Sequence, residues 1–85
     1  MIIEIIQFVK EDKTNLDYNL NSALNPSILV FETRANGFVG EEIHSKEDYE
    51  DALGLERRLQ HNFGDSIDTR VETVDEWVML YVTVN

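Results

Sequence analysis

Residues 45–63, SKEDYEDALGLERRLQHNF, carry the clearest helical pattern in the sequence. Their apolar side chains recur at the three- and four-residue spacing of an α-helix and fall on one arc, made up of Tyr49, Ala52, Leu53, Leu55, Leu59 and Phe63. Ser45 with Asp48 resembles a capping box, and Gly64 suits the left-handed position that ends a helix. Acids in the first turns and bases near the end complement the helix dipole. We therefore predict a long helix over 45–63, with Gly54 on its solvent-facing side.

The residues that follow this helix predict a β-hairpin. Residues 67–74 alternate between apolar or threonine side chains and charged ones, which is typical of a strand with one buried face. Asp75 and Glu76 separate this segment from residues 77–84, where neither face is plainly polar. The last strand is thus expected to be apolar on both sides.

Upstream of the helix the sequence predicts a second hairpin and two further elements. Asn36-Gly37 lies between residues 28–35 and 38–44 and supplies the pair of positive φ angles that a tight hairpin turn requires. Residues 16–24 fit both a helical stripe and strand alternation; we favour a short helix and leave the strand open. Residues 2–9 are rich in β-branched side chains, and their apolar residues would lie on both faces of a strand, which favours an interior strand.

These elements predict one α+β domain over residues 1–85. Its sheet is mostly antiparallel with about five strands, in the element order β-α-β-β-α-β-β, and one long and one short helix pack on one face. The first and last strands are both apolar on two sides, which is more apolar surface than two helices cover. The surplus is a candidate surface for a partner or for a second copy of the chain.

Composition restricts the classes of function. The chain has 17 acidic residues against 7 basic ones, a formal net charge of −10, which disfavours direct binding to nucleic acid or to an anionic membrane and attracts basic proteins. It contains no cysteine, so disulfides and thiolate metal sites are excluded. No apolar run approaches the roughly 20 residues that cross a bilayer, and the opening residues lack the pattern of a signal peptide. We expect a cytoplasmic protein.

No residue pattern points to catalysis, a metal or a cofactor. The serines have no nucleophile motif around them, and His44 and His61 lack a zinc-ligand spacing. Glu56 lies near the middle of the helix's apolar arc, where a carboxylate with a raised pKa would be a candidate acid or base, but such a residue more often reaches the rim or pairs with an arginine. We predict a protein without catalytic residues, metal or cofactor.

Acidic side chains are concentrated in two stretches of the sequence. Residues 41–51 run into the first turns of the predicted helix, and residues 65–76 follow its end. Carboxylates three or four residues apart on a helix have Cβ atoms about 5–6 Å apart, so a folded acidic face can present a row of charge like that of phosphates. The predicted partner-binding face comprises Glu41, Glu42, Glu47, Asp48, Glu50, Asp51, Asp65, Asp68, Glu72, Asp75 and Glu76.

The acidic face suggests a small binding module that inhibits a partner protein by occupying its basic nucleic-acid-binding groove. In size and charge the chain resembles small phage-encoded inhibitors, such as the uracil-DNA glycosylase inhibitor and some anti-CRISPR and anti-restriction proteins. This resemblance implies a DNA-mimic mode of action and carries over no individual residue. The alternative is a self-associating structural or accessory domain that forms a homodimer through its apolar strand surfaces.

Overall fold

A computed structural model describes residues 1–12, 14, 16–18, 28–33, 46–74 and 77–85. The helices in these ranges are α1 (Ile2–Glu11) and α2 (Lys46–Phe63), and a short 3₁₀ turn, Gly64–Ser66, follows α2. The strands are β1 (Leu16–Tyr18), β2 (Ile28–Thr33), β3 (Ile67–Val74) and β4 (Trp77–Val84). The predicted α+β class is confirmed, and the described residues contain four strands, of which β2, β3 and β4 were expected and β1 was not.

The four strands form one antiparallel sheet in the order β1-β2-β4-β3. The predicted hairpin of β3 and β4 is confirmed, with Ile67 opposite Val84 and Val74 opposite Trp77. Strand β4 lies inside the sheet, between β2 and β3. Leu80 and Val82 on its helix-facing side are fully buried, and Met79 on the opposite side is only 8% exposed, which agrees with a sequence that is apolar on both faces.

Helix α2 follows the prediction from periodicity. Ala52, Leu55 and Leu59 are fully buried, and Gly64 has φ +55°, which is the left-handed conformation expected after the last turn. The prediction that Gly54 faces solvent is wrong. Gly54 is buried because the side chain of Arg58, one turn later, lies over it.

The N-terminal segment differs from the prediction. Residues 2–9 were expected to form a strand, but they belong to helix α1. Ile5 and Val9, four residues apart, are buried in the core, while Ile3 is 80% exposed. Apolar residues in nearly every position satisfy a helical period as well as a strand, and burial of one helical stripe against the rest of the protein outweighs the preference of isoleucine for strands.

The prediction of a short helix over residues 16–24 is also corrected in part. Leu16–Tyr18 forms β1, antiparallel to β2, where we favoured a short helix. Leu16 is buried and Asp17 is exposed, so the strand alternation applies in these residues. Residues 19–24, the Asn36-Gly37 turn, the predicted strand 38–44 and the Ser45 cap lie outside the described residues.

Both helices pack on the same side of the sheet and share one core. Ile5 of α1 and Leu55 and Leu59 of α2 belong to one buried cluster with Phe31 and Leu80 of the sheet. The rings of Phe8 and Phe63 meet edge to face with centroids 5.8 Å apart, and Gln60 of α2 donates a hydrogen bond of 2.6 Å to the Thr69 hydroxyl of β3. The two helices thus cover one side of the sheet together. The side of α2 that faces away from the sheet is exposed to solvent.

Candidate functional site

The solvent-facing surface of α2 carries both signs of charge in order along the helix. Glu50 and Asp51 are exposed in its first half, and Arg57 and His61 are exposed in its second half. Leu53 lies between them and is half-buried, although Leu55 and Leu59 on the inner arc are fully buried. We call Glu50, Leu53, Arg57 and His61 the outer stripe of α2. Its charge order follows the helix dipole, which stabilises acids near the N-terminus and bases near the C-terminus.

The predicted acidic face is represented on α2 by three described side chains. Glu50 and Asp51 are exposed, and Asp48 is half-buried and interacts with another group. Glu47 is part of α2. Glu41, Glu42, Asp75 and Glu76 lie outside the described residues.

The remaining acids of that predicted face lie elsewhere. Asp68 and Glu72 alternate with Ile67 and Val71, which face the helices, so the two carboxylates project from the opposite side of the sheet. Asp65 is exposed in the 3₁₀ turn beyond the C-terminal end of α2. The described carboxylates therefore occupy three separate places and only those of α2 share one surface.

The side of the sheet away from the helices has its own arginine. The guanidinium carbon of Arg70 lies 4.5 Å from the centroid of the Tyr81 ring, and its Nη2 atom is 3.8 Å from Oε1 of Glu72. A shallow cavity of about 260 Å³ lies beside them, lined by Ile28, Asp68, Thr69, Arg70, Tyr81 and Thr83. Burial, followed by a hydrogen bond and charge interaction with Glu72, raises the pKa of Tyr81 above its ordinary value.

A second arginine joins the two helices. Arg58 of α2 donates two hydrogen bonds to Asp12, which follows α1: Nε to Oδ2 at 2.7 Å and Nη2 to Oδ1 at 2.6 Å. This bidentate arrangement fixes the orientation of both groups. The Asp12 side chain is 8% exposed and that of Arg58 is 50% exposed. The hydrogen bonds to Asp12 raise the pKa of Arg58; burial opposes them, and the negative charges of Asp12 and Asp51 add to them.

Gly54 provides the space that Arg58 occupies. A Cβ atom at this position would lie 3.0 Å from Nη1 of Arg58, closer than ordinary van der Waals contact. Next to this contact is an open groove of about 320 Å³ between the helices, lined by Phe8, Gly54, Arg57, Arg58, His61 and Asn62. The groove has an aromatic wall from α1 and a basic rim from α2.

Other chemical candidates are dispersed in the described residues. His61 is exposed near the end of α2, and Glu56 is partly exposed, at the edge of the apolar arc and not in its centre. The described part of the chain has no cluster of three or more histidine, aspartate or glutamate side chains arranged to hold a metal ion. Within these same ranges, none of the helices has both the length and the apolar character needed to span a membrane.

Sequence reasoning missed the pair of Arg58 and Asp12 and the role of Gly54. The two charged residues are 46 positions apart, so no local pattern links them. Gly54 did carry a signal: a glycine inside a helix costs about 1 kcal/mol relative to alanine, and one placed a turn before a long side chain marks a close approach.

Comparison with known proteins gives no further assignment. No protein-family model, no curated protein and no solved structure matches this chain.

Proposed function

We propose that this protein is a non-enzymatic binding module that presents the acidic half of α2 to a basic surface of a partner protein. The surface consists of the exposed side chains of Glu50 and Asp51 in the first half of α2. The most concrete form of the proposal is an inhibitor that occupies the nucleic-acid-binding groove of its partner.

The exposure of Glu50 and Asp51 is the observation that carries this proposal. Neither carboxylate forms an ion pair within 4.0 Å in the described residues, whereas Glu72 lies near Arg70 and Asp12 is bound by Arg58. An exposed carboxylate that forms no such ion pair is available to an arginine or lysine of another protein.

The charge of the whole chain favours a partner that normally binds nucleic acid. A net charge of −10 repels phosphate backbones and accelerates encounter with basic surfaces at low salt. Adjacent carboxylates on one helix face can occupy positions that phosphates fill in a groove lined by arginine and lysine. The inhibitor would act by competition, because the groove cannot hold the helix and the nucleic acid together.

The test uses the immobilised protein and a charge-reversed variant, Glu50→Lys with Asp51→Lys, to capture proteins from a lysate. Captured proteins are then purified and assayed for displacement of double-stranded DNA by the soluble chain. We expect the native protein to displace DNA in a salt-sensitive manner and the variant to lose at least about tenfold in affinity, since two attractive contacts become repulsive.

A matched control carries the same change of charge on the other helix, Glu4→Lys with Glu11→Lys, at two exposed positions of α1. Its affinity should stay within about twofold of the native protein at equal salt, apart from the general effect of net charge. Equal losses in the two variants would show that the net charge acts without a localised surface, and the proposal would then be wrong.

A further inference from the structure

The outer stripe of α2 has complementary charges at equal distances from its centre. Glu50 precedes Leu53 by three residues and Arg57 follows Gly54 by three residues, so both lie about 5 Å along the axis from the midpoint of the Leu53-Gly54 pair. Residues seven apart on a helix lie on the same side, two turns from each other. Glu50 and Arg57 are both exposed, and Leu53 between them is half-buried.

This arrangement matches itself after a half-turn rotation. A two-fold axis perpendicular to α2 and passing beside the Leu53-Gly54 pair places a second α2 antiparallel to the first. Because such an axis reverses the direction of the helix, Glu50 of each copy comes level with Arg57 of the other. Two cross-helix ion pairs then flank a centre made of the apolar side chains of Leu53.

We propose that a second copy of this chain binds the outer stripe of α2, forming an antiparallel two-fold dimer. Its contacts are the two pairs of Glu50 with Arg57 and a central contact between the Leu53 side chains. The open groove beside Phe8, which also borders Gly54 and Arg57, lies along this surface and adds apolar contact. Exposed ion pairs contribute little individually and each copy carries a charge of −10, so the dimer is weak and forms at high protein concentration.

Self-association has a consequence for partner binding, and this consequence rests on the proposed function. Glu50 faces Arg57 of the other copy in the dimer, so it is unavailable to a basic partner. The dimer and the partner complex are therefore mutually exclusive, and a basic partner shifts the protein toward monomer by mass action.

Two single charge reversals test the dimer by sedimentation equilibrium. Glu50→Lys makes both charged positions of the stripe positive, and Arg57→Glu makes both negative, so each variant alone repels its own copy. In an equimolar mixture the lysine introduced in one variant faces the glutamate introduced in the other, and the native Arg57 and Glu50 face each other in the second pair. We expect an association constant at least about tenfold above that of either variant alone. Lys10→Glu, on the exposed side of α1, is the matched control and should not associate more tightly with Glu50→Lys.

A cross-linking experiment locates the contact. The native chain has no cysteine, so Leu53→Cys introduces the only thiol. A short bis-maleimide should join two copies of this variant at concentrations where Asp65→Cys, an exposed position outside the stripe, stays uncross-linked. A mixture of the two charge variants that associates no better than either alone, or equal cross-linking at positions 53 and 65, would overturn the dimer.

The Arg57→Glu variant separates this inference from the proposed function. It retains every acidic residue, so it should lose self-association and keep its affinity for a basic partner, whereas Glu50→Lys should lose both. A protein in which partner binding depends on Glu50 while the charge variants fail to pair would refute the dimer and leave the proposed function standing. Association of the two mixed charge variants, with no captured partner that competes with DNA, would support the dimer and refute the proposed function.

Discussion

Arg58 and Arg70 are two arginines that each lie near a carboxylate, on opposite sides of the sheet. Arg58 binds Asp12 through two hydrogen bonds of 2.7 and 2.6 Å, and the Asp12 side chain is 8% exposed. Arg70 lies 3.8 Å from Glu72, whose side chain is 41% exposed, and it also covers the ring of Tyr81. The first pair joins the end of α1 to α2, while the second lies within one strand.

From this difference we expect burial of the carboxylate to decide how much each ion pair stabilises the fold. A carboxylate that is shielded from water must be compensated by its partner, so removal of the arginine leaves an unfavourable buried charge. A carboxylate exposed to water recovers its hydration when the arginine is removed. The same residue types therefore give a structural link in one place and an adjustable surface in the other.

The largest effect is expected from Arg58→Ala. We expect a loss of about 1–3 kcal/mol in the free energy of unfolding, because Asp12 loses both hydrogen bonds while shielded from water. The value stays below the roughly 3–5 kcal/mol typical of fully buried pairs, since the Arg58 side chain is half exposed. Urea unfolding followed by circular dichroism measures this difference.

Two controls sharpen the comparison of the arginines. Arg57→Ala, next to Arg58 and exposed, should change stability by no more than about 0.5 kcal/mol. Arg70→Ala should cost less than about 1 kcal/mol, which covers an exposed ion pair and a cation–π contact. Losses of the same size for Arg58 and Arg70 would show that shielding of the carboxylate does not distinguish them.

A smaller effect is expected from Gly54→Ala. Its effect on the free energy of unfolding should depend on whether Arg58 is present. Alanine is favoured over glycine by about 0.8–1.0 kcal/mol in a helix interior. In the native protein the new methyl group meets Nη1 of Arg58 at 3.0 Å, so the guanidinium must shift while two of its other nitrogen atoms are held by Asp12, and the gain should disappear or reverse. In an Arg58→Ala background the full gain should return.

A double-mutant cycle with the Gly54 and Arg58 substitutions measures this coupling directly. We expect a coupling free energy of about 1 kcal/mol or more. An equal gain from Gly54→Ala in both backgrounds would mean that the space above Gly54 is not needed by the arginine.

The smallest effect concerns the pH dependence of stability on the side of Arg70. The pKa of Tyr81 is raised in the folded protein, so its contribution to stability is fully present below the unfolded value of about 10 and is lost as the pH rises through the folded value. The stability of the native protein should therefore fall more steeply above about pH 10 than that of Tyr81→Phe, which has no phenol to ionise.

The cause of the raised pKa can be tested in the same protein. Glu72→Gln removes a negative charge that raises the pKa of Tyr81, so the phenol should titrate at a lower pH in an NMR titration of its ring. An unchanged titration in this variant would assign the shift to burial alone.

The parts of the fold that the sequence predicts are those in which local signals agree. In α2 the helical period, the charge order and Gly64 all point to the same ends, and in β3 the alternation of charged and apolar residues matches the pleat. Helix α1 lacked such agreement, because isoleucines and valine at almost every position fit two periods. Its conformation is decided by burial of Ile5 and Val9 in a core cluster that also contains Leu55 and Phe31, which are distant in sequence.

The candidate site was predictable only in its local part. The sequence placed Glu50, Asp51 and Arg57 on one helix, but which side of the sheet each acidic segment faces depends on the position of that helix. Asp68 and Glu72 were grouped with the acids of α2 because charge counts do not record direction. The contact of Arg58 with Asp12 depends on how α1 and α2 pack, and no local pattern encodes it.

The neighbouring position of β2 and β4 in the sheet affects the order of folding. Leu29 pairs with Val82, so these strands join residues separated by more than half of the chain, whereas β3 and β4 are adjacent in sequence. Closing such a long loop carries a large entropic cost before its contacts form, and non-local pairing slows folding. The helix and hairpin of residues 46–84 can therefore assemble first and act as a template, and the docking of β2 completes the cooperative transition.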